Sequence, residues 1–196
     1  MILAIKNGDM LQKDLIWLSP HADDEGLFGT YICLRLKPLI VVVFDGNQHE
    51  KKFGKGKGIK VRRNETLAAA RILGCEVVFL GNSDMGTTPL LTFGEETIIS
   101  PALQGGNAHH DQVSTYGEIN YATYTKTNLT PYLEDGYAII PTPEEENIKE
   151  KVLACYKSQH EINKVHFEAV KGQPEYIQGV LTAPIRRALR LDSEVS

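Results

Sequence analysis

The stretch Leu15-Ile16-Trp17-Leu18-Ser19-Pro20-His21-Ala22-Asp23-Asp24-Glu25, "LIWLSPHADDE", joins two unlike halves. The first four residues are apolar and read as a buried strand at 15–18. The seven that follow set one histidine and three acids at the end of that strand. Adjacent carboxylates repel, and ionised groups resist leaving water. Either this is a solvated turn, or something positive sits there.

Outward from this strand, short apolar runs alternate with helical patterns along the chain. That alternation predicts an α/β fold: a Rossmann-like layered sheet, mostly parallel, with helices on both faces. A helix is expected over 26–36, weakened by Gly29. The run "LIVVVF" at 39–44 is unbroken and β-branched, as a central parallel strand covered on both faces would be. Residues 59–73 form the clearest helix, with Gly74 as its C-terminal cap. "EVVFL" at 76–80 is the third strand and "TIIS" at 97–100 a short fourth. The Tyr- and Thr-rich stretch 119–133 has room for a strand, and 138–140 for another. A last strong helix begins at "TPEEE", with Thr142 as N-cap, Pro143 at the first helical position and Glu145 completing a capping box. The charged tail from Pro184 frays or packs as a short helix. In open parallel sheets, ligands bind at the carboxyl ends of strands. Four polar loops lie at such ends: 19–25, 45–47, 82–84 and 107–111.

The whole chain sets the bounds. Its 196 residues suit a single domain over 1–196 with a sizeable core. A net charge of -4 argues against a nucleic-acid partner. No segment is apolar for long enough to span a membrane, so no membrane partner is expected, and the N-terminus lacks the pattern of a secretory signal. Cys33, Cys75 and Cys155 are an odd count in apolar contexts, and read as reduced thiols of a cytoplasmic protein. "HEKKFGKGKGIKVRR" holds seven Lys or Arg and one Glu. It lacks the strand-GxxxxGK[ST]-helix context of a phosphate-binding loop and reads as a solvated loop, or as a lid that attracts an anionic group.

Three stretches carry chemistry. In "PHADDE", His21 and Asp24 stand three apart, a spacing that aims both side chains at one point if a helix begins here. Imidazole and carboxylate suit Zn²⁺ or another divalent cation. Asp23 then stands beside the ion as a general base for water. The competing reading is helix N-capping, which accounts for Asp23 or Asp24 but not for both with His21. A third ligand is needed, and "GGNAHHDQV" offers His109, His110 and Asp111. Its competing reading is a surface loop whose histidines face water. On the helix at 59–73, Arg62, Glu65 and Ala69 share a face. Arg62 either pairs with Glu65 on the surface or points at substrate.

In this order, the stretches resemble the PIG-L/LmbE-like family of zinc-dependent N-acetylglucosaminyl deacetylases. The resemblance runs from about residue 15 to residue 176. Its motifs are Pro20–Glu25 against the family's (P/A)HPDDE, "VVFDGN" after the second strand, and Arg62, Glu65, Ala69 and Leu73-Gly74 of an R-x-x-E-x-x-x-A-x-x-x-LG helix. "FLG-x-x-D" follows, ending at Asp84. Late in the chain come Tyr156, Ser158 and Gln159 of "CYKSQ", and Glu175 of "PEYI". The resemblance implies a hydrolase that removes an N-acetyl group from an N-acetylglucosamine-type conjugate with a zinc-bound water. It implies His21 and Asp24 as metal ligands, Asp23 as the base, and Arg62 and Asp84 as holders of sugar hydroxyls. Glu25 is left to cap the helix or to orient His21.

Two departures stand out. The family's third metal motif is H-x-D-H. Aligning "HHDQ" to it makes Gln112 the ligand, a poor one for zinc. Aligning "NAHH" makes His110 the ligand, puts His109 in the place of the acid and Asn107 in that of the outer histidine, and matches Val113 to a common valine. The second register is preferred because imidazole is the better ligand. Asn107, a neutral donor, and His109 are then the residues left to assist the oxyanion. The other departure is length: 24 residues separate Asp84 from His109, too few for the usual helix. The expected partner is a small-molecule amino-sugar conjugate, with self-association into a homo-oligomer left open. The alternatives are a catalytically weakened sugar- or nucleotide-binding protein on this scaffold, or an amidase for a different N-acyl substrate.

Overall fold

The structure, a computed structural model, describes residues 14–44, 54, 56–82 and 93–193. Within them one sheet of seven strands runs in the order β3-β2-β1-β4-β5-β7-β6. The strands are β1 Leu15–Ser19, β2 Leu39–Phe44, β3 Glu76–Asn82, β4 Thr97–Pro101, β5 Ile119–Tyr121, β6 Tyr137–Ile139 and β7 Glu175–Gly179. Strands β1 to β5 pair in parallel, whereas β7 runs antiparallel to both β5 and β6. The expected mixed, mostly parallel α/β sheet is therefore present.

Strand alternation divides the core in two. Trp17, Ile40, Val42 and Ile99 join one cluster, while Ile16, Leu18, Leu39, Val41, Val43 and Ile98 join the other. The first face also takes the helices α1 Asp24–Phe28, α2 Thr30–Leu36, α3 Lys57–Leu73 and α5 Pro143–Leu153, through residues such as Phe28, Ile32, Leu73 and Val152. The second face receives Val113, the last residue of the short helix α4 Ala108–Val113. Three short helices complete the described chain: α6 Lys157–His160, α7 Lys164–Ala169 and α8 Ala183–Ala188. No helix among the described residues is long and apolar enough to cross a membrane.

Local signals mostly produced what they imply. Gly74 ends α3 in the left-handed conformation (φ 70°), where a side chain would be strained. Thr142 and Glu145 form both halves of the capping box at the start of α5. The helix expected over 26–36 is instead two helices, α1 and α2, meeting at Gly29. A Cβ at Gly29 would lie 2.2 Å from the Trp17 ring, so the chain passes closer to the sheet than any other residue allows. The helix that begins at Pro143 runs to Leu153 and is the last long one; α6 to α8 after it are short, and α8 forms in the tail that begins at Pro184.

The strand order reverses direction between β1 and β4, and a crevice opens beyond the carboxyl ends of strands at such a point. The loops after β1 and β4 carry "PHADDE" and "NAHHDQ". The loop at 45–47, Asp84 and residues 49–53 and 55 of the basic stretch lie outside the described residues, while 57–63 of that stretch, expected as a loop or lid, are the first turns of α3.

Candidate functional site

The site begins with the turn after β1. The Phe44 backbone N–H donates to the Pro20 carbonyl at 3.0 Å, tying this turn to β2. The Asp24 carboxylate folds back to accept from the His21 backbone N–H at 2.7 Å. Residues 20–25 are all buried, with Asp23 4% and Asp24 2% exposed. They are therefore no solvated turn, and no side chain caps α1.

The second contribution comes from α4. Asn107 is its N-cap, accepting from the His109 backbone N–H at 2.9 Å. This turn sends His110 inward, 1% exposed. His110 Nε2 lies 3.2 Å from Asp24 Oδ1 and 3.2 Å from His21 Nδ1, and His21 Nδ1 lies 3.5 Å from Asp24 Oδ2. The three residues form a ligand triangle in which one atom from each lies within 4.8 Å of the others, the two short contacts of Asp24 ending on its two oxygens. A tetrahedral ion with bonds of about 2.0–2.1 Å has edges of about 3.3–3.4 Å. His21, Asp24 and His110 thus have the chemistry and the spacing to hold a divalent cation. Without one, two ring nitrogens and a carboxylate share a single point, and their protons cannot satisfy all three contacts. Burial raises the Asp24 carboxyl, but the His110 and His21 imidazoles outweigh it and hold the group well below the usual range.

Asp23 stands beside the triangle. Its Oδ1 accepts from Arg62 Nη2 at 3.1 Å. Burial raises its pKa, the Arg62 guanidinium pulls it back and the neighbouring Asp24 pushes it up again. Arg62 therefore pairs with Asp23 and not with Glu65, which accepts from both the backbone N–H and the hydroxyl of Ser158. A cavity of about 150 Å³ opens against these groups, lined by His21, Asp23, Asp24, Arg62, Asn107 and His166, among others.

The remaining expected residues fall in different places. His109 Nδ1 lies 2.7 Å from His21 Nε2, and its ring stacks on Phe44 at 4.3 Å, so it supports His21 and is not among the residues lining the cavity. Asn107 lines the cavity, but its amide donates to the Tyr124 hydroxyl at 3.0 Å. Gln112 is not among the residues lining the cavity. Glu25, whose carboxylate also accepts from its own backbone N–H in the first turn of α1, has its side-chain partners elsewhere. It is fully buried and accepts from the Tyr156 hydroxyl and, at 3.0 Å, from that of Ser19. Burial pushes its carboxyl up to about 7 against the opposing hydrogen bond from Tyr156. Tyr156 and Ser158 thus brace Glu25 and Glu65 beneath the site. The sequence reading passed over Tyr124, Asn163 and His166, which also line the cavity. The usable signal was the Asn163-x-x-His166 spacing directly after the "YKSQ" helix.

No protein-family model matches this sequence, and no curated protein matches it. Solved structures do. The fold resembles that of deacetylases, in keeping with the LmbE/PIG-L likeness of the motifs. A deacetylase involved in the teicoplanin biosynthetic pathway superposes with a TM-score of 0.64 at 15% identity, over 85% of this chain and 97% of that one. The N,N'-diacetylchitobiose deacetylase of Pyrococcus horikoshii gives 0.61 at 13% identity, over 88% and 85%. The 4-carboxy-2-hydroxymuconate hydratase of Pseudomonas putida gives 0.61 at 16% identity, over 87% and 97%. A hydratase stands among these neighbours, so the reaction has to be argued from the site and not from the fold.

Proposed function

We propose that the chain is a divalent-metal-dependent N-deacetylase acting on an N-acetylglucosamine-type amino-sugar conjugate in the cytoplasm, with zinc as the metal. The observation that carries this reading is the meeting of His21, Asp24 and His110 at hydrogen-bond range beside the buried carboxylate of Asp23, with His21, Asp23 and Asp24 lining one cavity. A cation held there supplies a Lewis acid for the acyl carbonyl and lowers the pKa of water. The protein's part is proton handling and orientation. Arg62 holds Asp23 through Oδ1, which leaves Oδ2 to take the proton of the attacking water and return it to the departing amine. Burial makes that carboxylate a stronger base than one in solvent. His109 fixes the ring of His21 from behind. Asp84 is proposed to hold sugar hydroxyls with Arg62.

A second reading has one observation in its favour. Both ends of the Asn107 side chain are engaged, with His109 and Tyr124, so Asn107 is poorly placed to assist an oxyanion. A weakened enzyme that mainly binds sugars would tolerate this. The retained Asp23 argues against it, because binding alone needs no base.

Metal content and acetate release separate the two. Protein dialysed against zinc should retain one ion per chain and release acetate from N-acetylated amino sugars. Retention of zinc without acetate release would favour the binding protein, and failure to retain any divalent ion would overturn both the metal and the mechanism. His110→Ala should abolish retention, whereas Gln112→Ala should leave it intact. The reverse order would make Gln112 the ligand.

A further inference from the structure

Part of the cavity lining comes from the segment that holds α6 and α7. It contributes Gln159, Asn163 and His166. Asn163 directly precedes α7, yet its side chain caps nothing. His166 stands one turn further on the same helix, and its ring packs on Tyr124 with centroids 4.6 Å apart. Its Nδ1 is buried and has no hydrogen-bond partner among the described residues. The same holds for Nε and Nη1 of Arg62, which line the cavity from another side. Buried polar atoms are rarely left so, and a group of them around one cavity marks a place where a ligand completes the bonding.

The kind of ligand follows from charge. The Arg62 guanidinium is already balanced by Asp23. Burial lowers the pKa of His166, so its imidazole tends to neutrality and offers one donor and one acceptor nitrogen. The Asn163 amide likewise offers both. A wall of neutral groups that donate and accept, beside guanidinium donors, suits vicinal hydroxyls, each of which can do both. Among the described residues it has no uncompensated positive charge for a carboxylate or phosphate.

We infer that Asn163 and His166 are substrate-contacting residues that read the hydroxyl-bearing ring of the substrate in the cavity that Asp23 also lines. This rests on the deacetylase reading of the same site. His166 then sets which amino sugars are accepted and leaves metal binding to His21, Asp24 and His110.

Three forms of the zinc-loaded full chain test it: parent, His166→Phe and His166→Asn. Phenylalanine keeps the stack on Tyr124 and removes both ring nitrogens. Asparagine sets an amide nitrogen near the position of Nδ1. With N-acetylglucosamine as substrate, His166→Phe should raise KM about tenfold or more, with kcat within about threefold and zinc content unchanged. His166→Asn should recover most of the loss. Parental KM in His166→Phe, or equal loss in both variants, would overturn the role of His166 while leaving the deacetylase reading intact. If the parent hydrolyses no N-acetylated amino sugar, the deacetylase reading fails, and binding decides. Histidine ring NMR signals titrated with N-acetylglucosamine should move in the parent and stay still in His166→Phe. Equal binding in the two, or none in either, would sink the inference.

Discussion

Lys149 and Glu175 form one buried ion pair at 2.8 Å, and Arg62 and Asp23 form another at 3.1 Å. All four residues are no more than 4% exposed. The first pair is saturated. Glu175 accepts from Lys149 through one oxygen and from the Tyr31 and Ile32 backbone N–H groups through the other, capping α2, while the Lys149 ammonium lies over the Tyr31 ring at 4.6 Å. The second is open. Arg62 spends one nitrogen on Asp23 and keeps two without partners among the described residues, beside a cavity. A saturated buried pair holds structure together, whereas an open one is set up to act on something else.

The comparison breaks if the two pairs respond alike to neutralisation. Asp23→Asn should cut acetate release about 10²- to 10⁴-fold, the range for loss of a general base, and leave zinc retention as in the parent. Steady-state rates with metal analysis check this. A parental rate would remove Asp23 from the chemistry and reduce the Arg62 pair to structure. Glu175→Gln should do the opposite. It strands the Lys149 charge in the core and should cost about 3–5 kcal/mol of stability by denaturant unfolding, with kcat of the folded fraction unchanged. Replacing Lys149 by Met in the same chain should recover most of that loss, since the stranded charge goes with it.

A third pair sharpens the contrast from the solvent edge. Arg35 donates to both oxygens of Glu145, and this hydrogen bonding brings the carboxyl from its ordinary 4.5 down to about 2, with burial opposing. A carboxyl lowered on folding stabilises the protein above its unfolded pKa, and that stability is lost as pH falls through the folded one. The contribution should therefore be full above about 4.5 and fade towards pH 2. After solvent screening it is about 1 kcal/mol. Glu145→Gln should lower the midpoint of thermal unfolding by a few degrees at pH 7. The gap to the parent should close as pH drops from about 4.5 to 2, and a gap independent of pH would assign the effect to the capping box.

Legibility followed the distance over which each feature is decided. Residues 39–44 form the strand their β-branched run implies, and Gly74 and Thr142–Glu145 act where they stand, because strand period, left-handed caps and capping boxes are settled within a few residues. The break at Gly29 was half legible: glycine weakens a helix, but only the Trp17 ring packed against it decides that the chain must pass so close. The pairing of His21 with Asp24 followed from their spacing. Glu25 was misjudged because its partner, Tyr156, lies 131 residues away.

By itself the sequence determined the alternation of strands and helices, the helix ends, and a histidine and acids at the carboxyl end of the first strand. These rest on short-range periodicity and on backbone and side-chain groups a few bonds apart. Only the tertiary structure decided that His110 turns towards Asp24, that His109 backs His21, that Arg62 leaves Glu65 for Asp23, and that His166 lines the same cavity as Asp23. Such choices depend on which strands lie side by side and on how each helix is rotated over the sheet. Contacts between segments 88 or 89 residues apart, as His21 makes with His109 and His110, exist only once the parallel pairing of β1 with β4 has brought their loops to one rim.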